Sequence, residues 1–491
     1  MMVTSRRSDR TEPVACKHER AYFGRGERAT LTGSCVPLST MAETVLLIGG
    51  GGREHAVARA LADSQADLYA CAGNRNPGIA EIATGFETLE TTNPKAVVDY
   101  AEDVDATLAV IGPEAPLEAG VADELEDAGI YAFGPKEADA RIETDKAFQR
   151  RFMREHDIPG CPDFETFDTA AAACEYIDEY DGDLAIKPAG LTGGKGVKVI
   201  GDQVTAEEGK EYIRDSDYDR IVLEERLVGE EFTIQAFVAN GEFRTAPAVQ
   251  DHKRAYEGDE GPNTGGMGSY SDATPELPFM TEDDYDRAVS IIEATVDALD
   301  DYRGILYGQF MLTTDGPKVV EFNARFGDPE AMNTLPVLET DFLDVLTAAR
   351  DGESLPALEF ADQATVCKYA VPAGYPTDPE AGAKVEIDEE SVARTVRATE
   401  NSSGEQSDPR ESADDALLYY ASVDERDDGI YTTTSRSFAV VGLADSIAEA
   451  EEIAEDALAV AGEEGLRVRH DIGKAALIQR RIDHVNELRG E

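Results

Sequence analysis

The feature that most constrains the fold is a strand-like segment of one Thr and four unbroken apolar residues that stops abruptly at glycine. Thr44-Val-Leu-Leu-Ile48 shows no alternation of polar and apolar side chains, so a strand made from it must be covered on both faces. Gly49-Gly-Gly-Gly52 follows directly, and a helical pattern begins at about Glu54. The same order recurs at Thr107-Leu-Ala-Val-Ile111, which runs into Gly112-Pro-Glu-Ala-Pro116. Buried strands separated by loops and helices specify a parallel sheet, and a Rossmann-like domain is predicted over 41–142.

A glycine loop between a strand and a helix is where a dinucleotide binds, but the fingerprint G-x-G-x-x-G fails here. Counted from Gly49 its last position is Glu54, and counted from Gly50 it is His55. A nicotinamide-dependent oxidoreductase is therefore disfavoured. Free N–H groups at a helix start still attract an anion, and Arg53 adds a fork suited to phosphate. A phosphorylated small molecule is the expected occupant; a tight turn that merely needs glycine is the plainer reading.

Past residue 142 the pattern becomes mixed. A helix is predicted over about 144–156, strands at 220–224, 231–239 and 243–249, and a long helix near 281–299. Ile305–Leu312 and Lys318–Phe322 then pair and close a second region at about 360. Within it Leu184-Ala-Ile-Lys187 and Val197-Lys-Val-Ile200 flank a glycine-rich turn, as two antiparallel strands would. The turn is not a Walker A loop, because Ala189 and Gly196 stand where Gly and Ser/Thr are required. Gly190, Gly193 and Gly194 let backbone N–H groups approach phosphate oxygens, while Lys187 and Lys195 supply counter-charge. Only 13 of the 45 basic residues are Lys. Three of them (187, 195 and 198) within twelve residues point to phosphate rather than to a flexible hairpin tip.

Glu321-Phe-Asn323 ends a predicted strand, so period-two spacing puts both oxygen-bearing side chains on one face. Hard oxygen ligands at that spacing suit Mg²⁺ shared with phosphate. Arg325 and Asp328 follow, and an Arg there can neutralise charge on a transferred phosphoryl group. Gln250-Asp-His-Lys-Arg254 and Gly261-Pro-Asn-Thr-Gly-Gly-Met-Gly268 form a third polar patch, of the kind that recognises substrate. His252 taken alone reads as an ordinary hydrogen-bonded side chain. No G-x-S-x-G elbow and no H-E-x-x-H motif occurs.

Residues 361–475 read as β-rich with a helix near 445–460, 398–415 as an exposed acidic loop, and 476–491 as a tail. Residues 1–40 carry seven basic and four acidic residues and lack periodicity. They are read as a disordered or artefactual extension before Met41. The six Cys are scattered without a C-x-x-C pair and no run approaches a membrane span. A cytoplasmic chain with no membrane partner is expected. With 100 acidic against 45 basic residues the net charge is −55, which repels nucleic acid.

In this order the motifs closely resemble the phosphoribosylamine–glycine ligase family of the ATP-grasp superfamily. The likeness spans about 41–475. It is carried by Gly50–Ala56, Gly112–Leu117, Phe133-Gly-Pro135, Lys146-Ala-Phe148, Gly193–Val197, Gln250–Arg254, Gly261–Gly268, Glu321–Glu330 and Asp471-Ile-Gly473. The resemblance implies an α/β and α+β multidomain chain: the Rossmann-like domain, an ATP-grasp core over 143–360 with a small lid at about 160–225, and a small β-rich C-terminal domain over 361–475. It implies ATP with Mg²⁺ or Mn²⁺, glycine and 5-phosphoribosylamine as substrates, a glycyl phosphate intermediate, and a monomer.

Carried over by position, the likeness puts Lys146, Lys187, Gly193, Gly194, Lys195 and Gly196 on the ATP phosphates. Glu224, Glu225 and Leu227 form the adenine hinge, Glu231 holds the ribose, and Glu321 and Asn323 hold the metal. Arg325 and Lys253 are the expected catalytic cations. Gly52, Arg53, Glu54, His55, Pro113, Glu114, Asp251, Asn263, Thr264, Gly265, Gly266 and Asp328 hold the substrates. Two positions depart from relatives: Gln309 where many ATP-grasp enzymes place an acidic metal ligand, and Pro188-Ala189 beneath the lid. A ligase or carboxylase for another acid, such as bicarbonate or formate, and a non-catalytic nucleotide sensor would keep the same loop.

The dense carboxylate and the preference for Arg over Lys suggest adaptation to high salt, where the Debye length shrinks to about 3 Å at 1 M. Secondary structure followed by circular dichroism is expected to collapse below about 1 M KCl as screening is withdrawn; an unchanged cooperative melt in low salt would contradict this.

Overall fold

The structure, a computed structural model, describes residues 42–190, 196–216, 218–395, 415–462 and 465–490. The expectations for 1–40, for the glycine-loop tip at 191–195 and for most of 398–415 lie outside the described residues.

The first apolar run becomes β1 (Glu43–Ile48), the middle of a parallel sheet with β2 (Ala66–Ala72), β3 (Gly85–Thr88), β4 (Leu108–Ile111) and β5 (Tyr131–Phe133), in the order β3-β2-β1-β4-β5. Val45 to Ile48 are fully buried, as their unbroken apolar character requires. Strand order reverses between β1 and β4. The loops after these strands, which begin at Gly49 and Gly112, therefore open side by side at the carboxyl ends, where open α/β sheets bind ligands. At the start of helix α1 (Gly52–Ala62) Glu54 reaches back and accepts the N–H of the N-cap Gly51 at 2.6 Å.

The central region holds two antiparallel sheets and α2 (Lys146–Glu155). The smaller sheet comprises β6 (Phe164–Phe167), β7 (Leu184–Pro188), β8 (Lys198–Val199) and β9 (Ile221–Glu225), ordered β6-β9-β7-β8. Ala185 pairs with Val199 and Ile186 with Lys198, so the two strands flanking the glycine turn do pair antiparallel. Next come β10 (Glu230–Ala239), β11 (Glu242–Thr245) and the short β12 (Gln250–Asp251). A hairpin of β13 (Arg254–Tyr256) and β14 (Glu260–Asn263) leads to β15 (Gly268–Ser271). After α3 (Glu282–Ala298), β16 (Gly304–Thr313) and β17 (Gly316–Asn323) complete the larger sheet, β11-β10-β16-β17.

One irregularity in that sheet decides where the site faces. Phe310 pairs with Val319 but Gln309 pairs with Glu321, so Val320 is an extra residue, a β-bulge. Val319 and Phe322, three residues apart, consequently both enter the core beside Phe232 and Phe310. Glu321 shares the other face with Gln309 and, across β10, Thr233 and Glu231.

In the C-terminal region β18 (Ala364–Pro372), β19 (Ala416–Tyr420) and β20 (Phe438–Ala444) continue the sheet begun by β12 and β15, ordered β12-β15-β18-β20-β19, with α4 (Ile447–Ala461) packed on it. The segment 250–271 is thus hydrogen-bonded into the C-terminal sheet. Residues left as a tail by the sequence form α5 (Ala475–Arg489), whose Leu477 and Val485 are buried and which rests on β10 and β16. No helix among the described residues is long and apolar enough to cross a membrane.

Candidate active site

Lys187, at the end of β7, places its Nζ 2.7 Å from Glu224 Oε2 and donates to the Val320 carbonyl at 2.9 Å. Arg150 grips both oxygens of Glu224, at 2.8 and 2.9 Å, and donates to the carbonyls of Val319 and Val320 at 3.1 and 2.6 Å. The bulge is what turns the Val320 carbonyl toward both cations. All three side chains are buried. Burial opposes ionisation of Glu224, yet Arg150 and Lys187 hold its pKa below the ordinary value. Burial also lowers the pKa of Lys187, against the pull of Glu224.

Lys146 stands one turn before Arg150 on α2; its Nζ is 3.7 Å from Glu321 and its N–H donates to the Ala189 carbonyl at 2.7 Å. Pro188 pairs with Ile221, and Ala189 donates its own N–H to the Arg220 carbonyl, so the Pro188-Ala189 departure is accommodated at the strand end. Burial raises the Glu321 pKa, but Lys146, Lys253, Lys187 and Arg325 outweigh it and bring the carboxyl down to about 2. Beside it Lys253 Nζ donates to Gln309 Oε1 at 2.5 Å, and Gln309 Nε2 donates to Glu231 at 2.6 Å. Gln309, the second departure, therefore lies directly opposite Glu321 and links Lys253 to Glu231.

The other half of the site lies where the carboxyl ends of β1 and β4 meet the loop after β17. Arg325 reaches Glu143 at 3.1 Å and Glu114, just after Pro113, at 3.5 Å. Arg53 donates to Glu54 at 2.6 Å and to the Phe326 carbonyl at 3.0 Å. The guanidinium and the Gly51 N–H expected to be open to an anion are thus both engaged, each by Glu54. Asp328 accepts from Tyr369 and from Arg436 at 2.9 Å, and Arg436 also donates to the Gly265 and Gly266 carbonyls. Thr264 donates to the Lys253 carbonyl at 2.8 Å, which fixes the Thr264-Gly265-Gly266 loop beside Asp251. Burial, then repulsion from Glu330, pushes the Asp251 pKa well above the ordinary carboxylate value. At Gly52 an added Cβ would lie 2.4 Å from the Tyr369 hydroxyl, so this glycine allows α1 to approach the C-terminal sheet.

Several expected residues make contacts of their own outside these clusters. The His55 ring accepts from the Tyr420 N–H at 2.9 Å and stacks on Tyr420, which joins α1 to β19; burial, then Arg59, drives its pKa well down. Glu225 pairs with Lys318 at 2.5 Å, Leu227 sits half-buried in the link from β9 to β10, and the Gly196 carbonyl accepts from Tyr212. Asn263 lines a cavity of about 420 Å³ with Lys198, Asp202 and Arg254. Gly193, Gly194 and Lys195 lie outside the described residues. His252 differs from its plain reading: both ring nitrogens are buried and have no hydrogen-bond partner among the described residues, and burial, then Arg481 and Arg469, lowers its pKa to about 3.

Sequence reasoning missed Arg150, Glu143, Tyr369 and Arg436. Arg150 had a signal, since it follows Lys146 by four on one helix face. Arg436 had none, being brought to Asp328 by tertiary pairing alone.

Two antiparallel sheets that hold lysines and a carboxylate between them, behind a parallel-sheet domain, define an ATP-grasp protein. The chain belongs to the phosphoribosylglycinamide synthetase family: its N domain matches residues 43–143, its ATP-grasp (A) domain 144–331 and its C domain 365–475. Phosphoribosylamine–glycine ligases of Methanocella arvoryzae and Methanosarcina barkeri are each 51% identical, over 91% of this chain and the whole of theirs. A solved phosphoribosylamine–glycine ligase from Thermotoga maritima superposes with a TM-score of 0.70 at 26% identity, over 87% of this chain and 99% of that one. An ADP complex of an N5-carboxyaminoimidazole ribonucleotide synthetase shares the fold alone, with a TM-score of 0.60 at 16% identity.

Glu224→Ala would leave Arg150 and Lys187 buried without their counter-ion. Denaturant unfolding in high salt should show a loss of about 3–5 kcal/mol, and a loss below about 1 kcal/mol would remove Glu224 from its structural role.

Proposed function

We propose that this chain uses ATP to join the carboxylate of glycine to the amine of 5-phosphoribosylamine, giving glycinamide ribonucleotide, ADP and phosphate in purine (IMP) biosynthesis. The observation that carries the reading is Glu321, an ionised carboxylate kept among Lys146, Lys187, Lys253 and Arg325 on one face of the larger sheet. Membership of the family, with relatives of that activity at about half identity, supports the choice of substrates.

Lys146 and Lys187 draw the ATP phosphates in, and Gly193, Gly194, Lys195 and Gly196 are further phosphate-binding residues. The backbone of Glu224, Glu225 and Leu227 meets adenine, and Glu231 meets the ribose. The glycine carboxylate attacks the γ-phosphate and displaces ADP to give glycyl phosphate; the amine of phosphoribosylamine then attacks its carbonyl carbon, phosphate leaves, and the nitrogen gives up one proton. Arg325 and Lys253 neutralise charge on the transferred group, and positioning supplies most of the acceleration. Asp251, Asn263, Thr264, Gly265, Gly266 and Asp328 hold substrate, together with Gly52, Arg53, Glu54, Pro113 and Glu114.

Among the described residues no three His, Cys, Asp or Glu side chains cluster as a self-sufficient metal cage. Glu321 and Asn323, an ionised carboxylate and a carboxamide on one strand, fit Mg²⁺ or Mn²⁺ that takes its remaining ligands from phosphate and water. Bound there, the ion would withdraw charge from the phosphates. We read the enzyme as a cytoplasmic monomer.

ADP release at high salt should require both glycine and phosphoribosylamine, each omitted in turn. Release with bicarbonate or formate in place of glycine would move the enzyme to another acid. Glu321→Ala should lower kcat by on the order of 100-fold or more with the fold retained. A variant with near-parental kcat at saturating Mg²⁺ would remove Glu321 from the metal site.

A further inference from the structure

Helix α5 lies beyond the segment matched by the family's C domain, which ends at 475, yet it docks behind the nucleotide half of the site. Its apolar side, Leu477, Ile478, Ile482 and Val485, packs toward the core. Its polar side is aimed at two elements of the candidate site. Glu230 and Glu231 are neighbours on β10, so their side chains leave opposite faces of the sheet. Glu231 faces Gln309; Glu230 is buried on the far side against α5. There His484 Nδ1 lies 2.6 Å from Glu230 Oε1, and Arg481 Nε lies 3.3 Å from Oε2. The other end of the same guanidinium reaches Asp259 at 2.5 Å. Asp259 sits at the turn of the β13–β14 hairpin, the arm that leads from Lys253 to Thr264, Gly265 and Gly266. Arg469 reinforces that arm, pairing with Asp259 at 3.1 Å and donating to the Arg254 carbonyl at 3.1 Å.

We infer that Arg481 is a positioning residue that couples the nucleotide site to the substrate loop, by holding Glu230 behind the strand that presents Glu231 and Asp259 on the arm that presents Lys253 and Thr264. Burial raises the Glu230 pKa against the pull of Arg481 and His484, so this carboxylate depends on α5 for its compensation. One planar guanidinium spans both carboxylates, hydrogen-bonded to Asp259 and ion-paired with Glu230 without a hydrogen bond, a reach that a single ammonium lacks. The inference rests on the proposed reaction for its substrate half and on the nucleotide site alone for the other.

The test compares Arg481→Met, Arg481→Lys and the parent at high salt, with circular dichroism to confirm the fold. Calorimetric titration of Mg·ADP reads the nucleotide half whatever acid the enzyme activates; steady-state ADP release with glycine and phosphoribosylamine reads the other. Arg481→Met should weaken Mg·ADP binding about tenfold and raise the KM of glycine or of phosphoribosylamine by a similar factor, while kcat stays within about threefold. Arg481→Lys should recover one of the two effects and not both. A lowered melting temperature with both constants at parental values would reduce Arg481 to a structural bolt and overturn the inference. A change confined to Mg·ADP in both variants would overturn the coupling. If Arg481→Met does not fold, Arg481→Lys decides alone: parental values of both constants overturn the inference. A parent that releases no ADP with these substrates removes the proposed function, and Mg·ADP binding equal in parent and variants then overturns the nucleotide half.

Discussion

The nucleotide half of the molecule depends on one buried carboxylate shared by two cations. Lys187 is buried, and a buried ammonium without a partner is costly. Glu224 provides that partner, and Arg150 in turn keeps Glu224 ionised. Because Arg150 and Lys187 also donate to carbonyls of β17, the triad fastens the smaller sheet to the larger one.

Similar pre-pairing runs through the substrate half. Arg325 rests on Glu143 and Glu114, Arg53 on Glu54, and Arg436 on Asp328. The cations are fixed in direction before any anion arrives, which is how positioned charge becomes effective in a site of low dielectric. The frame comes from three regions at once. The parallel sheet brings Arg53 and Glu114, the larger antiparallel sheet brings Arg325, and the C-terminal sheet brings Tyr369 and Arg436 while pairing with the strand that follows Gly266.

Much of this was legible in the chain because it is local. An apolar run without alternation specified a strand covered on both faces, and the two halves of a hairpin were visible on either side of the glycine turn at 187–196. What stayed hidden is tertiary. Nothing near Arg436 announces that it closes on Asp328, and nothing in residues 476–491 shows that their charges match Glu230 and Asp259. His55 illustrates the opposite error: a residue inside a motif, yet turned toward Tyr420 because helical geometry carries it away from its neighbours Arg53 and Glu54.

Alternation along a strand told which residues share a face, but not which face. From Val319, counting by twos reaches Glu321 on the core side, where a carboxylate would be stranded among Phe232 and Phe310. Val320 breaks the count, and Glu321 and Asn323 emerge toward the lysines instead. The parity of the whole strand end is therefore set by a residue with no chemistry of its own. Removing Val320 would leave Glu321 and Asn323 in the sequence and turn both side chains to the opposite face. A position that a residue-by-residue comparison would rank as an ordinary valine is, in terms of register, the switch that gives the enzyme an active face.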